Sequence, residues 1–289
     1  MKKNADFDSL LPAVPFDRRA FLVGSLAAGF TIAAGPVVAQ TAIVTDSEGL
    51  TAGEIKVPTA DGAMPAYRAQ PAGKEKPAVV LVVHEIFGVH EYIKDICRRL
   101  AKLGYMAIAP ELYARFGDPS QLKNVQEAMA LAAQANDAQL MSDLDACVAW
   151  ATANGGDTGH LGITGFCRGG RTVWMYAAHQ PALKAGVAWY GQIDGAPNAN
   201  TPRYPLDVAA ELKAPVLGLY GGKDQGIPQS DVEAMRDAIQ KAGGPSQLHS
   251  YPDAPHAFHA DYRPSYRKDA AQDGWQRMQA WFKAHGVNP

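Results

Sequence analysis

Cys167 stands in the run Gly165-Phe166-Cys167-Arg168-Gly169-Gly170, which places a thiol in a Gly-x-nucleophile-x-Gly pattern. Residues 160–164 read as a short buried strand, and residues 171–179 carry the apolar face of a helix. A strand that ends in this pattern and turns at once into a helix is a nucleophile elbow. The turn is strained and passes close to neighbouring elements, so side chains at positions 165 and 169 would clash. The tip residue lies over a helix N-terminus, whose free N–H groups and dipole favour a thiolate and later an oxyanion. The competing reading, an ordinary buried thiol, does not account for the glycines around it.

A cysteine nucleophile needs a base to make the thiolate, and the base needs an acid to orient it. In α/β-hydrolase chain order the nucleophile comes first, the acid follows a later strand and the histidine follows the last strand. Asp224, in Gly221-Gly222-Lys223-Asp224, follows the predicted strand 215–220, and His256, in Asp253-Ala254-Pro255-His256, follows the predicted strand 247–251. The alternatives are Asp194, one strand earlier, and His259, beyond the turn. The oxyanion hole is expected to use the backbone N–H of Arg168 and that of Ile86, in the loop after the first buried strand.

These residues need a scaffold that brings strand ends together. Residues 53–58 and 64–70 read as edge strands joined by a turn at Asp61-Gly62. Residues 77–83 form an uninterrupted apolar run, as expected of a strand buried on both faces of a parallel sheet. A helix over 91–103, a strand over 105–109 and a long amphipathic stretch over 121–153 lead to the elbow. Further strands follow at 184–190, 215–220 and 247–251, with a loop at 191–210, a helix at 229–242 and a closing helix at 265–285. Strands regularly separated by helices predict an α/β fold: a mostly parallel central sheet of about eight strands, covered on both faces, without a lid domain.

Several separated motifs then converge: His84-Glu85-x-x-Gly88, Pro110-Glu111-Leu112-Tyr113-Ala114-Arg115, the cysteine elbow, Gly221-Gly222-x-Asp224 and His256-x-Phe258. From about residue 53 to the C-terminus the chain resembles the dienelactone hydrolase (carboxymethylenebutenolidase) family of α/β-hydrolases. The resemblance implies a triad of Cys167, His256 and Asp224. It also implies that Glu85 manages the cysteine proton, the thiol resting against this carboxylate until substrate arrives. Desolvation beside a buried thiol is expected to raise the Glu85 pKa. Substrate contacts are implied for Arg115, Tyr113, Phe87 and Arg263. The chain departs from the family where a second arginine would follow the histidine: Ala260 stands there, Arg263 is the nearest arginine, and Arg168 puts an unusual charge inside the elbow.

Composition is ordinary for a globular chain of 289 residues, with 47% hydrophobic and 19% charged residues and a formal net charge of −2. That balance gives no footprint for nucleic acid or anionic lipid. No cofactor or metal site is expected; His84-Glu85 lacks the second histidine of a zinc-protease motif, since Gly88 stands there. Arg18-Arg19, the apolar run over 23–34 and Val37-Val38-Ala39 read as a Tat-type export signal over residues 1–39, with a linker over 40–52 and the hydrolase domain over 53–289. This predicts engagement of the Tat machinery, a periplasmic or secreted protein, and no stable membrane association after processing. Cys97 and Cys147 are expected as buried helix residues and not as a bridge. The expected activity is hydrolysis of a small activated ester or lactone through a thioester, by a monomer. The alternatives are a binding protein or a thiol-redox protein on the same scaffold, the latter without a Cys-x-x-Cys partner.

Overall fold

The computed structural model describes residues 42–289; the export signal read over 1–39 and the start of the linker lie outside the described residues. The chain opens with a hairpin of β1 (Leu50–Thr59) and β2 (Gly62–Pro71), paired along its whole length from Leu50 opposite Pro71 to Thr59 opposite Gly62. The hairpin is thus longer than the apolar pattern suggests, because half-exposed residues at both ends also join the ladder. Ahead of it, the Thr45 N–H donates to Asp95 Oδ1 at 2.6 Å, and Arg98 Nε donates to the Thr45 carbonyl at 2.7 Å.

The apolar run becomes β3 (Ala78–Val83), buried at every residue. It is followed by α1 (Glu91–Lys102), β4 (Met106–Pro110), a short 3-10 turn, α2 (Val125–Ala132) and α3 (Asp137–Ala153). The long amphipathic stretch read over 121–153 is two helices, and an asparagine opens each of them. Asn124 Oδ1 accepts from the Glu127 N–H and Asn136 Oδ1 from the Gln139 N–H, each at 2.9 Å, so each side chain starts a new helix. Then come β5 (Asp157–Phe166), α4 (Arg168–His179), β6 (Ala185–Trp189), α5 (Pro205–Val208), β7 (Val216–Gly221), α6 (Gln229–Ala242), β8 (Gln247–Tyr251) and α7 (Lys268–Ala284). Cys97 and Cys147 are free and fully buried.

The eight strands form one sheet in the order β1-β2-β4-β3-β5-β6-β7-β8, parallel from β4 to β8 and antiparallel in the first pairs. The order reverses around β3, whose neighbours are β4 and β5, and ligands of open α/β sheets bind at the carboxyl ends of such strands. Val83 lies opposite Gly165, so Glu85 and Cys167 each come two residues past a paired position. Phe166 lies opposite Trp189, which places Tyr190 at the same level on the next strand.

The elbow is built by backbone contact. A Cβ on Gly165 would meet the Gly169 carbonyl oxygen at 2.3 Å, and one on Gly169 would meet the Val83 carbonyl oxygen at 2.3 Å and that of His84 at 2.7 Å. No flexible side chain can yield at either contact. Gly169→Ala is therefore expected to cost about 3 kcal/mol or more, or to prevent folding. A melting temperature equal to that of the wild type would contradict this account of the turn.

Candidate active site

Cys167 sits at the tip of the elbow with φ 54° and ψ −118°, between the end of β5 and the start of α4. Among the described residues, four non-glycine residues have positive φ: Lys76, Cys167, Tyr190 and Ala257. The last three adjoin or belong to this site, and such strain persists where the surrounding structure over-determines the backbone. The Cys167 N–H donates to the Trp189 carbonyl at 3.0 Å, tying the tip to the end of β6.

Asp224 and His256 come together as expected. His256 Nδ1 lies 2.6 Å from Asp224 Oδ2, while Asp224 Oδ1 accepts from the Gly226 and Ile227 N–H groups at 2.9 and 3.2 Å. The carboxylate is thus fixed on both oxygens. Burial opposes the imidazolium, but the Asp224 carboxylate and the Cys167 sulfur outweigh it and hold the His256 pKa well above its ordinary value. The sulfur is near enough to act on the ring, yet His256 Nε2 has no partner at hydrogen-bonding geometry. The alternatives fall elsewhere. Asp194 is exposed and closes its own turn by accepting from the Gly195 N–H at 2.8 Å. His259 is a buried packing residue, stacked on Phe166 and Trp275, with Nδ1 2.5 Å from the Tyr92 hydroxyl.

The Ile86 and Arg168 N–H groups donate to no backbone group among the described residues. They belong to the two segments that Gly169 brings into contact, which is the arrangement an oxyanion hole requires. The Arg168 side chain extends from the elbow, with one terminal nitrogen donating to the Ala135 carbonyl at 3.3 Å and its charge acting on the Tyr113 hydroxyl. Tyr113 is buried edge-on against His84, with ring centroids 4.7 Å apart. His84 itself is structural: Nδ1 lies 2.6 Å from the Glu85 carbonyl oxygen, and Nε2 accepts from the Leu112 N–H at 3.2 Å.

Glu85 differs from expectation. It is 1% exposed, and burial by itself would raise its pKa, as the sequence predicts. The neighbouring His90, the charge of Arg263 and the Tyr262 hydroxyl together carry it the other way, down to about 2. The Tyr262 hydroxyl donates to Glu85 Oε2 at 2.6 Å, Arg263 Nε donates to the Tyr262 oxygen at 3.0 Å, and His90 Nε2 lies 3.6 Å from the same carboxylate oxygen. Burial holds His90 down to about 4, so the charge partner of Glu85 is Arg263. Arg263 is buried with its guanidinium 4.9 Å from the centroid of the Phe87 ring. Both residues therefore lie beside Glu85, although Arg263 is engaged there as a counter-ion.

Arg115 is not brought to this cluster. Its guanidinium donates to Asp61 at 2.5 and 2.6 Å and to Asp143 at 2.7 and 2.9 Å, joining the turn of the β1–β2 hairpin to α3. A motif match placed it as a substrate contact, but these two carboxylates claim its charge. Sequence reasoning also passed over Tyr190, Tyr262 and His90. Tyr190 had a usable signal, since it directly follows a buried central strand; Tyr262 and His90 had none.

An elbow of this geometry on a sheet of this order defines the α/β-hydrolase fold. The chain matches the Dienelactone hydrolase family over residues 64–286. It is 58% identical over 286 residues to the "Putative carboxymethylenebutenolidase" of Methylorubrum extorquens, covering 98% of each chain, and 52% identical over 260 residues to an Escherichia coli protein of the same name, covering 89% of this chain and 96% of the other. The crystal structure of a Klebsiella pneumoniae protein, provisionally a dienelactone hydrolase, superposes with a TM-score of 0.79 at 52% identity, covering 81% of this chain and 98% of that one. The protein belongs to the dienelactone hydrolase family and is an ester or lactone hydrolase.

The depressed pKa of Glu85 has a measurable consequence. A carboxylate whose pKa is lowered on folding adds stability above its unfolded value near 4.5, and that contribution is lost as pH falls through about 2. The stability difference between wild type and Glu85→Gln is expected to be constant from pH 8 to about 5 and to shrink below that. A difference that instead changes between pH 6 and 8 would mean that Glu85 titrates near neutrality.

Proposed function

We propose that this protein cleaves activated esters or lactones through a thioester formed on Cys167. His256 Nε2 takes the thiol proton and later delivers it to the leaving group, Asp224 holds the ring in the Nδ1–H tautomer, and the Ile86 and Arg168 N–H groups receive the oxyanion. The observation that carries the reading is the buried 2.6 Å contact between His256 and Asp224, with Nε2 left uncommitted beside the elbow thiol. The relatives' carboxymethylenebutenolidase names agree with it. A thiolate leaves a tetrahedral intermediate more readily than an alkoxide does, so attack on simple alkyl esters tends to reverse. Enol lactones, aryl esters and thioesters are the substrates that turn over.

Cys167→Ala is expected to lower kcat/KM for p-nitrophenyl acetate by about 10⁴-fold or more. Asp224→Asn, which leaves shape intact but releases the tautomer, is expected to lose about 10³- to 10⁴-fold. Full activity in either variant would sink the proposal.

We further propose that the protein works as a monomer outside the cytoplasm, delivered by the Tat machinery through Arg18 and Arg19. With Arg18→Lys and Arg19→Lys combined, cell fractionation should find the protein unprocessed in the cytoplasm. Unaltered delivery to the periplasm would reject this route.

A further inference from the structure

Three buried polar atoms at this site have no hydrogen-bond partner among the described residues: Glu85 Oε1, the Tyr190 hydroxyl oxygen and His256 Nε2. Buried polar atoms in native proteins are nearly always satisfied, and an orphan costs about 1–3 kcal/mol. Tyr190 links the other two, its ring against that of His256 and its hydroxyl within electrostatic reach of Glu85, so the three call for one ligand that matches all of them.

Tyr190 is the least expected of the three. It is fully buried with φ 39°, an outlier for so bulky a residue, and its N–H is held by the Leu219 carbonyl at 2.8 Å. Its ring meets that of His256 edge-on, with centroids 5.1 Å apart, and packs the same way on Phe258 at 5.3 Å. Burial first, then the nearby charges that include Glu85 and Cys167, push its ionisation well above the usual range, so the hydroxyl stays protonated. The phenol is thus a neutral O–H locked beside the base and within electrostatic reach of both the carboxylate and the sulfur.

The chemical demands of the three atoms are complementary. Ionised Glu85 only accepts, and Oε2 is already occupied by Tyr262. Tyr190 can donate. Once His256 has given its proton to the leaving group, Nδ1–H remains with Asp224 and Nε2 becomes an acceptor. An ester carbonyl brings acceptors alone, so it can satisfy Tyr190 but never Glu85 Oε1. A molecule that donates twice, accepts once and keeps a lone pair for reaction is water.

We propose that Glu85 Oε1, the Tyr190 hydroxyl and His256 Nε2 together hold the hydrolytic water that cleaves the acyl-enzyme, making Tyr190 a catalytic residue of deacylation. The inference rests on the thioester reading above. The free lone pair of the water attacks the thioester carbonyl carbon as one of its protons passes to Nε2, forming a C–O bond. The tetrahedral intermediate then collapses, the C–S bond breaks, and the sulfur departs as a thiolate. The C=O bond re-forms as the C–S bond breaks, the proton on Nε2 stays as the imidazolium partner of the thiolate, and the product acid releases its remaining proton to solvent and leaves as a carboxylate. Glu85 keeps its charge throughout and serves by hydrogen bonding.

The test is stopped-flow hydrolysis of p-nitrophenyl acetate by the mature protein, with intact-mass detection of the adduct. In wild type, an acetyl group on Cys167 must form; its absence would reject the thioester reading itself. In Tyr190→Phe the steady-state phase is expected to slow about 10- to 100-fold relative to the burst, with acetyl-enzyme accumulating. Hydroxylamine, a stronger nucleophile that does not need the cradle, should discharge that adduct at the wild-type rate. Glu85→Gln reads the cradle from its other side and should lengthen the acyl-enzyme lifetime likewise. Equal slowing of both phases in Tyr190→Phe, no slowing of either, or an equal defect toward hydroxylamine would overturn the proposal.

Discussion

Everything at this site depends on the contact of the Gly169 backbone with the carbonyls of Val83 and His84. That contact sets the separation between the start of α4 and the loop after β3. The segments that carry Arg168 and Ile86 are therefore brought together by backbone alone. The parallel register of β3 and β5 does the rest, because Glu85 and Cys167 leave paired strands at the same level. A site built on backbone contact is stiff, and stiffness matters most where donors must meet a charge that exists only in the transition state.

The two buried carboxylates near the thiol are kept apart chemically by what surrounds them. Asp224 is held by two backbone N–H groups and one imidazole, and its influence goes into the ring it touches. Glu85 has a guanidinium and a phenol beside it, and those fix it as an anion. Burial gives both groups leverage, since charges act more strongly where water is excluded. The site thus separates a standing negative charge, Glu85, from a group able to carry a proton, His256.

Much of this was legible in the chain. The elbow is a local pattern whose glycines, nucleophile and following helix lie within a dozen residues, and the alternation of strands and helices follows from apolar periodicity. Asp224 could be picked out because it follows the buried strand β7, and His256 because it follows the last strand of the chain. What the chain hid were relations between distant side chains. The pKa of Glu85 depends on Arg263, nearly 180 residues away, and desolvation considered alone points in the wrong direction. Arg115 sits in a recognisable motif, but its partners come from a hairpin turn and from α3, so motif position could not reveal where its charge is spent. The split of the stretch over 121–153 is a different case: Asn124 and Asn136 were visible as caps, and the apolar periodicity masked them.

The strained backbone ties these observations together. Cys167, Tyr190 and Ala257 all adopt positive φ; the first two directly follow β5 and β6, and the third lies in the turn after β8 that carries His256. The first two turn the chain sharply where an ordinary strand would continue. The first presents the thiol, the second sends the Tyr190 ring against His256, and the third follows His256 at once. Conformations of this kind cost about 1–3 kcal/mol each, and a fold retains them only where packing leaves no alternative. Here the packing is aromatic: Tyr190, Phe258, Phe166 and Trp189 interlock behind the kinks with centroid separations between 5.3 and 6.3 Å. That wall closes the back of the site with apolar surface and holds the Tyr190 ring in place. It explains why a phenol could be buried without a partner: the ring is held by its apolar body, which leaves the hydroxyl free for the reaction.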